Sequence, residues 1–311
     1  MSFSVSGTNF ECGLSLGKRF SKEISKRVDI LVSDAKLKEF GVQLTELDLR
    51  CRRKFPQFAL ELEGISVGAG QPYTKLLFLN MLEYHGHGCS SIALHDKTDL
   101  IVAHNEDGDV WENRDDFSLV NFSLSGIQIT YFSYPGELGG SAYAWNSHGL
   151  FMCVNNLHPK PNLHMLPKAF ISRRILESKN IGEAISVLKM HKTSGYHYFI
   201  AQGEKIISIE VFDGNINVEE VKGYSCHTNH YLSGGFAGKD DPRIDSTQRL
   251  SRLNQLIKKG KKPIQILYDR KGENPIFCEN QPSLTLSTVV AYPRERSVLI
   301  YNNSKYEDIF F

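Results

Sequence analysis

The sequence predicts an α+β fold in which antiparallel sheets are covered by helices. Three observations carry that prediction. Helical and strand-like segments come in blocks rather than in βαβα alternation, and many of the strands are joined by short turns. No linker, repeat or composition break marks a second domain. The chain has 311 residues, 41% hydrophobic and 23% charged, so it is long enough for a large core and ordinary in composition.

The elements follow in order. Residues 20–39 set Phe20, Ile24, Ile30, Leu31 and Leu37 among charges, predicting an amphipathic helix with a break. Residues 73–84, "YTKLLFLNMLEY", carry a dense apolar face at helical spacing and predict a buried helix. After Gly86 the text alternates like strands: "SSIAL", "DLIVAHN", "FSLVNFSL" and "IQITYFSY", punctuated by turn residues at 96–99 and at Ser125-Gly126. "GLFMCVNNL" is a further strand. Helical patterning resumes in "PKAFISRRILES" and "IGEAISVLKM", followed by the hairpin "YHYFIAQ" and "KIISIEVF". Asp245 or Ser246 is the expected cap of a helix through Leu250, Leu253 and Leu256, stopped by Gly260. Two strands flank Pro293 and Arg294 near the end.

Charge and motifs exclude several classes. With 36 basic and 35 acidic side chains no global field favours nucleic acid or an anionic membrane. The basic runs at 50–54 and 258–262 lack interleaved aromatics and read as solvated faces. The six cysteines are too scattered for a disulfide framework. The N-terminus lacks a signal-peptide core and no run is long enough to span a membrane, so a cytoplasmic location is expected. There is no phosphate loop GxxxxGK, no GxGxxG after a strand, no HExxH and no GxSxG, so no cofactor is expected. Nothing in the sequence specifies an oligomeric state.

Two readings compete around "HGHGCSSIAL". His85, His87 and Cys89 alternate, so on an extended segment they share a face and could begin a metal site for a metal-dependent hydrolase. A distant ligand, with Cys226 and His227 as candidates, would have to complete it. The second reading makes Cys89 a nucleophile. Attack of its thiol on the Gly88 carbonyl and hydrolysis of the thioester would leave Cys89 with a free α-amine. That amine's reference pKa of about 7.7–8.0 lets it serve as the base of its own thiol. Gly88 suits such a cut, having no Cβ to hinder the carbonyl. A lone cysteine opening a strand is nonetheless more often core.

"GCSSIALHDKTDLIVAHNEDGD" resembles the autoprocessing Gly-Cys site of the acyl-coenzyme A:6-aminopenicillanic acid acyltransferase family of N-terminal-nucleophile hydrolases, whose kin include acid ceramidase-like amidases and bile salt hydrolases. In that pattern a strand opened by Cys turns back into one closing with N-x-D, here Asn105-Glu106-Asp107, with Asp107 eighteen positions after Cys89. In the same order, "LELEGISVGAG" and "LFLNMLEYH" resemble the family's leader and "PGELGGSAYAWNSHGLFMCVNNL" its glycine-rich turn and strand. "CHTNHYLS" resembles its T-N-H element and "DSTQRLSRLNQL" its S-x-x-R helix start.

The resemblance implies a four-layer αββα sandwich with two antiparallel sheets flanked by helices. It implies a leader segment 1–88 and a catalytic segment 89–311 within one structural domain, parted by self-cleavage at Gly88-Cys89. Cys89 would be the nucleophile, Asp107 would face its amine and Asn229 would donate to the oxyanion. Asn105, Asn155 and Arg249 would support the substrate or the site. The activity implied is amide hydrolysis or acyl transfer on a small-molecule amide or acyl substrate, through a Cys89 thioester. A binding module that kept the fold and lost activity is the non-enzymatic alternative. One departure matters: where some relatives carry an arginine two positions or slightly more before the aspartate, this chain has His104-Asn105, leaving the part played by His104 open.

Overall fold

The alternation in the sequence resolves into two sheets in a computed structural model that describes residues 2–81, 88–157, 164–239, 244–279, 283–302 and 305–311. The first, eight-stranded sheet contains β1 (Ser2–Ser6), β4 (Ser118–Leu124), β5 (Ile127–Ser133), β6 (Tyr143–Asn146), β7 (Phe151–Asn156), β8 (Tyr196–Gln202), β9 (Lys205–Phe212) and β10 (Asn215–Glu220), in that spatial order. Only β1 lies parallel to its neighbour; the other pairs are antiparallel. The second, six-stranded and wholly antiparallel sheet runs β11 (Gly223–His227), β2 (Ser90–His95), β3 (Leu100–Gly108), β12 (Leu284–Tyr292), β13 (Ser297–Asn302) and β14 (Lys305–Phe310).

Three apolar interfaces hold four layers together. The outer face of the first sheet is covered by helices α1 (Asn9–Arg19), α2 (Ser21–Leu31), α3 (Asp34–Glu39), α4 (Gly41–Lys54), α5 (Pro56–Ala69), α6 (Tyr73–Leu79), α7 (Lys168–Ile175) and α8 (Ile181–Met190). Phe58, Leu62 and Phe170 meet Phe122, Ile129 and Tyr198 there. Between the sheets, Val102 and Val289 pack with Tyr143 and Phe199. Outside the second sheet, Ile92 and Ala103 meet Leu253 of α9 (Ile244–Lys258) and Ile266 of α10 (Pro263–Leu267). The architecture is an αββα sandwich, as the resemblance implied.

The expected break in residues 20–39 falls at Val32-Ser33, where the Ser33 hydroxyl caps α3 by accepting from the Lys36 amide. The expected cap of α9 does not form: Asp245 and Ser246 lie inside its first turn. Their side chains are drawn instead to Arg249, a charge-assisted partner, and to the Asn229 backbone amide. All six cysteines are buried and unpaired. Among the described residues no helix is long and apolar enough to cross a membrane.

Candidate active site

The two-residue period of a strand sorts the site residues onto two faces. Ser90 pairs with Asn105 and Ser91 with His104 across the β2–β3 ladder. Ala93 and Val102 face the first sheet, while Ile92, Ile101 and Ala103 face α9 and α10. Parity then puts Cys89, Ser91, His104 and Glu106 on the inner face and Ser90, Asn105 and Asp107 on the face toward the helices. Asn105 confirms the sorting: its amide donates to the carbonyls of Leu267 and Ile276, so it ties β3 to α10.

On the inner face the Cys89 thiol points at Glu106, with Sγ 3.4 Å from Oε2. The same oxygen is 2.9 Å from His104 Nε2, and the Tyr134 hydroxyl donates to Oε1. His104 Nδ1 lies 2.8 Å from Ser91 Oγ, which donates to Asn155 Oδ1 at 2.7 Å. Asn155 Oδ1 in turn lies 3.3 Å from His197 Nδ1. Asn155 is therefore four contacts from the thiol, not beside it; its neighbour Asn156 lines the cavity. Burial, followed by the Glu106 charge, pushes the Cys89 thiol up to about 12. Burial works against a charge on His104, yet the Cys153, Cys89 and Glu106 side chains outweigh it and raise its pKa well above the usual imidazole value. The thiol is thus protonated at neutral pH.

On the helix face Arg249 gathers the cysteine's backbone and Asn229. One guanidinium nitrogen donates to the Cys89 carbonyl at 2.8 Å and to Ser90 Oγ at 2.9 Å. The other donates to Asn229 Oδ1 at 2.9 Å and Asp245 Oδ2 at 3.2 Å. The Asn229 amide donates to the Asn156 carbonyl and lies so near Gly88 that a Cβ there would fall 2.0 Å from its Cγ. Only glycine fits at position 88. Asp107 accepts from Thr285 Oγ1 at 2.6 Å through one oxygen, while its other oxygen, buried, has no hydrogen-bond partner among the described residues. Burial outweighs the Arg249 charge and the Thr285 hydrogen bond and raises its carboxyl to about 7.

A cavity of about 60 Å³ opens over Gly88, Cys89, Glu106 and Asp107. Asp109, Glu112 and Glu137 share its wall with Lys168. Glu112 and Glu137 each meet a nitrogen of buried Arg27 at 2.5 Å. The described lining mixes five carboxylates with apolar and neutral side chains such as Leu79, Ala169, Tyr134 and Tyr196. Sulfur, imidazole and carboxylate donors of Cys89, His104 and Glu106 lie within 4.8 Å of one another, and their mutual hydrogen bonds account for that geometry without an ion. His85 and His87 lie outside the described residues. Cys226 sits with the α9 and α10 side chains, and His227 bonds Glu210 at 2.8 Å.

Glu106, Tyr134 and the Arg27–Glu112–Glu137 group escaped the sequence reading. Glu106 was legible in principle: strand parity puts the middle residue of N-x-D, not its ends, on the face of the thiol.

The family described as acyl-coenzyme A:6-aminopenicillanic acid acyl-transferase matches residues 94–306, a span that begins five positions after Cys89. The beta-alanyl-dopamine/carcinine hydrolase of Drosophila melanogaster is 25% identical over 218 residues, 59% of this chain and 55% of that protein. The match thus spans little more than half the length of that relative. The 40 kDa form of the acyl-coenzyme A:6-aminopenicillanic-acid-acyltransferase of Emericella nidulans is 24% identical over 288 residues, 81% of this chain and 75% of that protein. Among solved structures, a mutant conjugated bile acid hydrolase from Clostridium perfringens is 13% identical with a TM-score of 0.44, covering 71% of this chain and 92% of its own.

Proposed function

The chain belongs to the acyl-coenzyme A:6-aminopenicillanic acid acyl-transferase family, and from that premise we propose a self-cutting cysteine amidohydrolase or acyltransferase. The chain severs Gly88-Cys89, and the freed α-amine becomes the base of the Cys89 thiol. The thiolate takes the acyl group of a linear amide as a thioester and passes it to water or an amine. Asn229 donates to the oxyanion, an interaction typically worth about 2.7–4 kcal/mol. Asp107 receives the new ammonium group on its unpartnered oxygen, and Arg249 holds Cys89 and Asn229 in register. The observation that carries this reading is the convergence of Asn229, Arg249 and a carboxylate on one Gly-Cys bond with no room for a Cβ.

Denaturing electrophoresis with N-terminal sequencing tests it. Fragments 1–88 and 89–311 are expected, absent in Cys89→Ala. A wild-type chain that stays whole and releases no amine from any N-acyl amine would sink the proposal.

The Asp109, Glu112 and Glu137 carboxylates on the cavity wall support narrowing the substrate to an amide with a cationic end. A β-alanyl group, named in the D. melanogaster relative's description, ends in such an amine. Burial raises the Glu112 carboxyl to about 7 against the pull of Arg27. As Glu112 ionises between pH 6 and 8, KM for a β-alanyl amide should fall while KM for a neutral acetyl amide should not. Parallel profiles would remove this narrowing.

A further inference from the structure

Self-cutting raises a question that the α-amine mechanism leaves open. Before the cut, the nitrogen of Cys89 is a peptide nitrogen and no basic amine exists there. The thiol is buried and protonated, so something else must take its proton.

We propose that Glu106 is the base of the cutting step and that His104 is the positioning residue that keeps it ionised. The inference rests on the reading that the chain cuts itself at Gly88-Cys89. Glu106 is the carboxylate in contact with the sulfur, at 3.4 Å through Oε2. Its other oxygen is held by the Tyr134 hydroxyl. His104 Nε2 faces Oε2 at 2.9 Å, and its Nδ1 lies 2.8 Å from Ser91 Oγ, which donates to Asn155 Oδ1. The ring is thereby held against the carboxylate, where an imidazolium favours the ionised acid. Tyr134 and Cys89 also contact that carboxylate.

The step balances as follows. Glu106 takes the thiol proton as the sulfur bonds to the Gly88 carbonyl carbon, giving a tetrahedral intermediate. The carbon–nitrogen bond then breaks, its electron pair stays on the Cys89 nitrogen, and protonated Glu106 returns the proton to that nitrogen. The products are a Gly88 thioester on Cys89 and a free α-amine. Water then adds to the thioester, and the carbon–sulfur bond breaks to leave a Gly88 carboxyl and the restored thiol. Glu106 ends as it began, and from then on the α-amine serves the thiol.

The test follows cutting of the full-length chain by denaturing electrophoresis over time. Glu106→Gln should slow cutting at least 100-fold, and formate should partly restore it in Glu106→Ala, because a small carboxylate can occupy the vacated space. Glu106→Asp draws the carboxylate back by one methylene. Slowed cutting with an unchanged circular dichroism spectrum supports the proposal even if Glu106→Gln does not fold. His104→Gln removes the neighbouring positive charge, so the acid limb of the cutting profile should move to higher pH. A purely structural histidine would change yield without moving that limb. Cutting of Glu106→Gln or Glu106→Asp within threefold of wild type overturns the proposal and leaves self-cutting intact. A wild-type chain that never cuts fails the underlying reading and this step with it.

Discussion

At the scale of single residues, the uncut site stores an electrostatic penalty that cutting would relieve. Asp107 is buried and its carboxyl is raised to about 7 from an ordinary 3.8. The unfolded chain loses this proton near 3.8 and the folded chain keeps it to about 7, so between those values the native state binds more protons. Stability contributed at this residue therefore falls as pH rises through that window. The loss is on the order of 4 kcal/mol, each pKa unit being worth about 1.36 kcal/mol. In the uncut Cys89→Ala chain, urea midpoints should drop as pH rises from about 4 to about 7, and Asp107→Asn should flatten that slope. An equal slope in both would show that Asp107 is not the group responsible. Arg249 behaves in the opposite sense, because it is a buried cation with its partners in place. Arg249→Met takes the guanidinium donor from the Cys89 carbonyl, Ser90 and Asn229 and should cost about 3–5 kcal/mol, the usual result of removing one member of a buried pair. Urea unfolding of the same Cys89→Ala background measures it, and a loss below about 1 kcal/mol would deny Arg249 its organising part.

At the scale of elements, α1 and α5 approach so closely that side chains are excluded between them. Gly13 and Gly17 on α1 face Gly64 and Gly68 on α5, and a Cβ on Gly64 would fall 2.2 Å from the Phe10 carbonyl. Gly41, at the start of α4, has nothing within 4 Å of such a Cβ and no positive φ. Gly64→Ala should destabilise by about 1–3 kcal/mol through overpacking. Gly41→Ala should stabilise by about 0.4–1 kcal/mol, because it restricts only the unfolded chain. Thermal melts of the two variants give the comparison, and shifts of the same sign would contradict the packing argument. These helices also show where sequence reading stopped. Short apolar runs bounded by turn residues, such as β2, β3 and β5, were legible as strands, as were α8 and α9 with their apolar stripes. In α5 the buried face is built from Gly64 and Glu61 as well as Phe58, Leu62 and Ile65. Glu61 is neutralised there by Arg173 at 3.1 Å, a partner 112 positions away. No local pattern encodes that pairing. The site divides in the same way. Cys89, Asp107, Asn229 and Arg249 stood out by motif and do gather around one bond. Glu106 and Tyr134 did not, because their meeting depends on strand parity and on a contact from β5's end to β3.

At the scale of the whole molecule, the proposed cut falls between pieces that are not separate folding units. Residues 2–6 form the edge strand of the first sheet, pairing Ser2 with Leu119 through Ser6 with Ser123. Helices α1, α2 and α4–α6 bury Leu16, Ile24, Leu47, Phe58 and Leu76 in the same core as Phe122, Phe170 and Tyr198 from beyond the cut. Fully burying one such side chain is worth about 1.5–3 kcal/mol, and many are shared across the two segments. Lys26 also reaches Asp116, and Arg173 reaches Glu61, so polar ties cross as well. Breaking one peptide bond adds chain entropy only to the separated or unfolded state, and this cannot outweigh a shared core of that size. Cut protein should therefore elute from native gel filtration as one species, at the same volume as the uncut Cys89→Ala chain. The fragments should part only at the urea concentration that unfolds the sheet, and reductant should make no difference, since no disulfide joins them. Separation in native buffer would mean that the first 88 residues cover the sheet without being held by it, contrary to the single shared core.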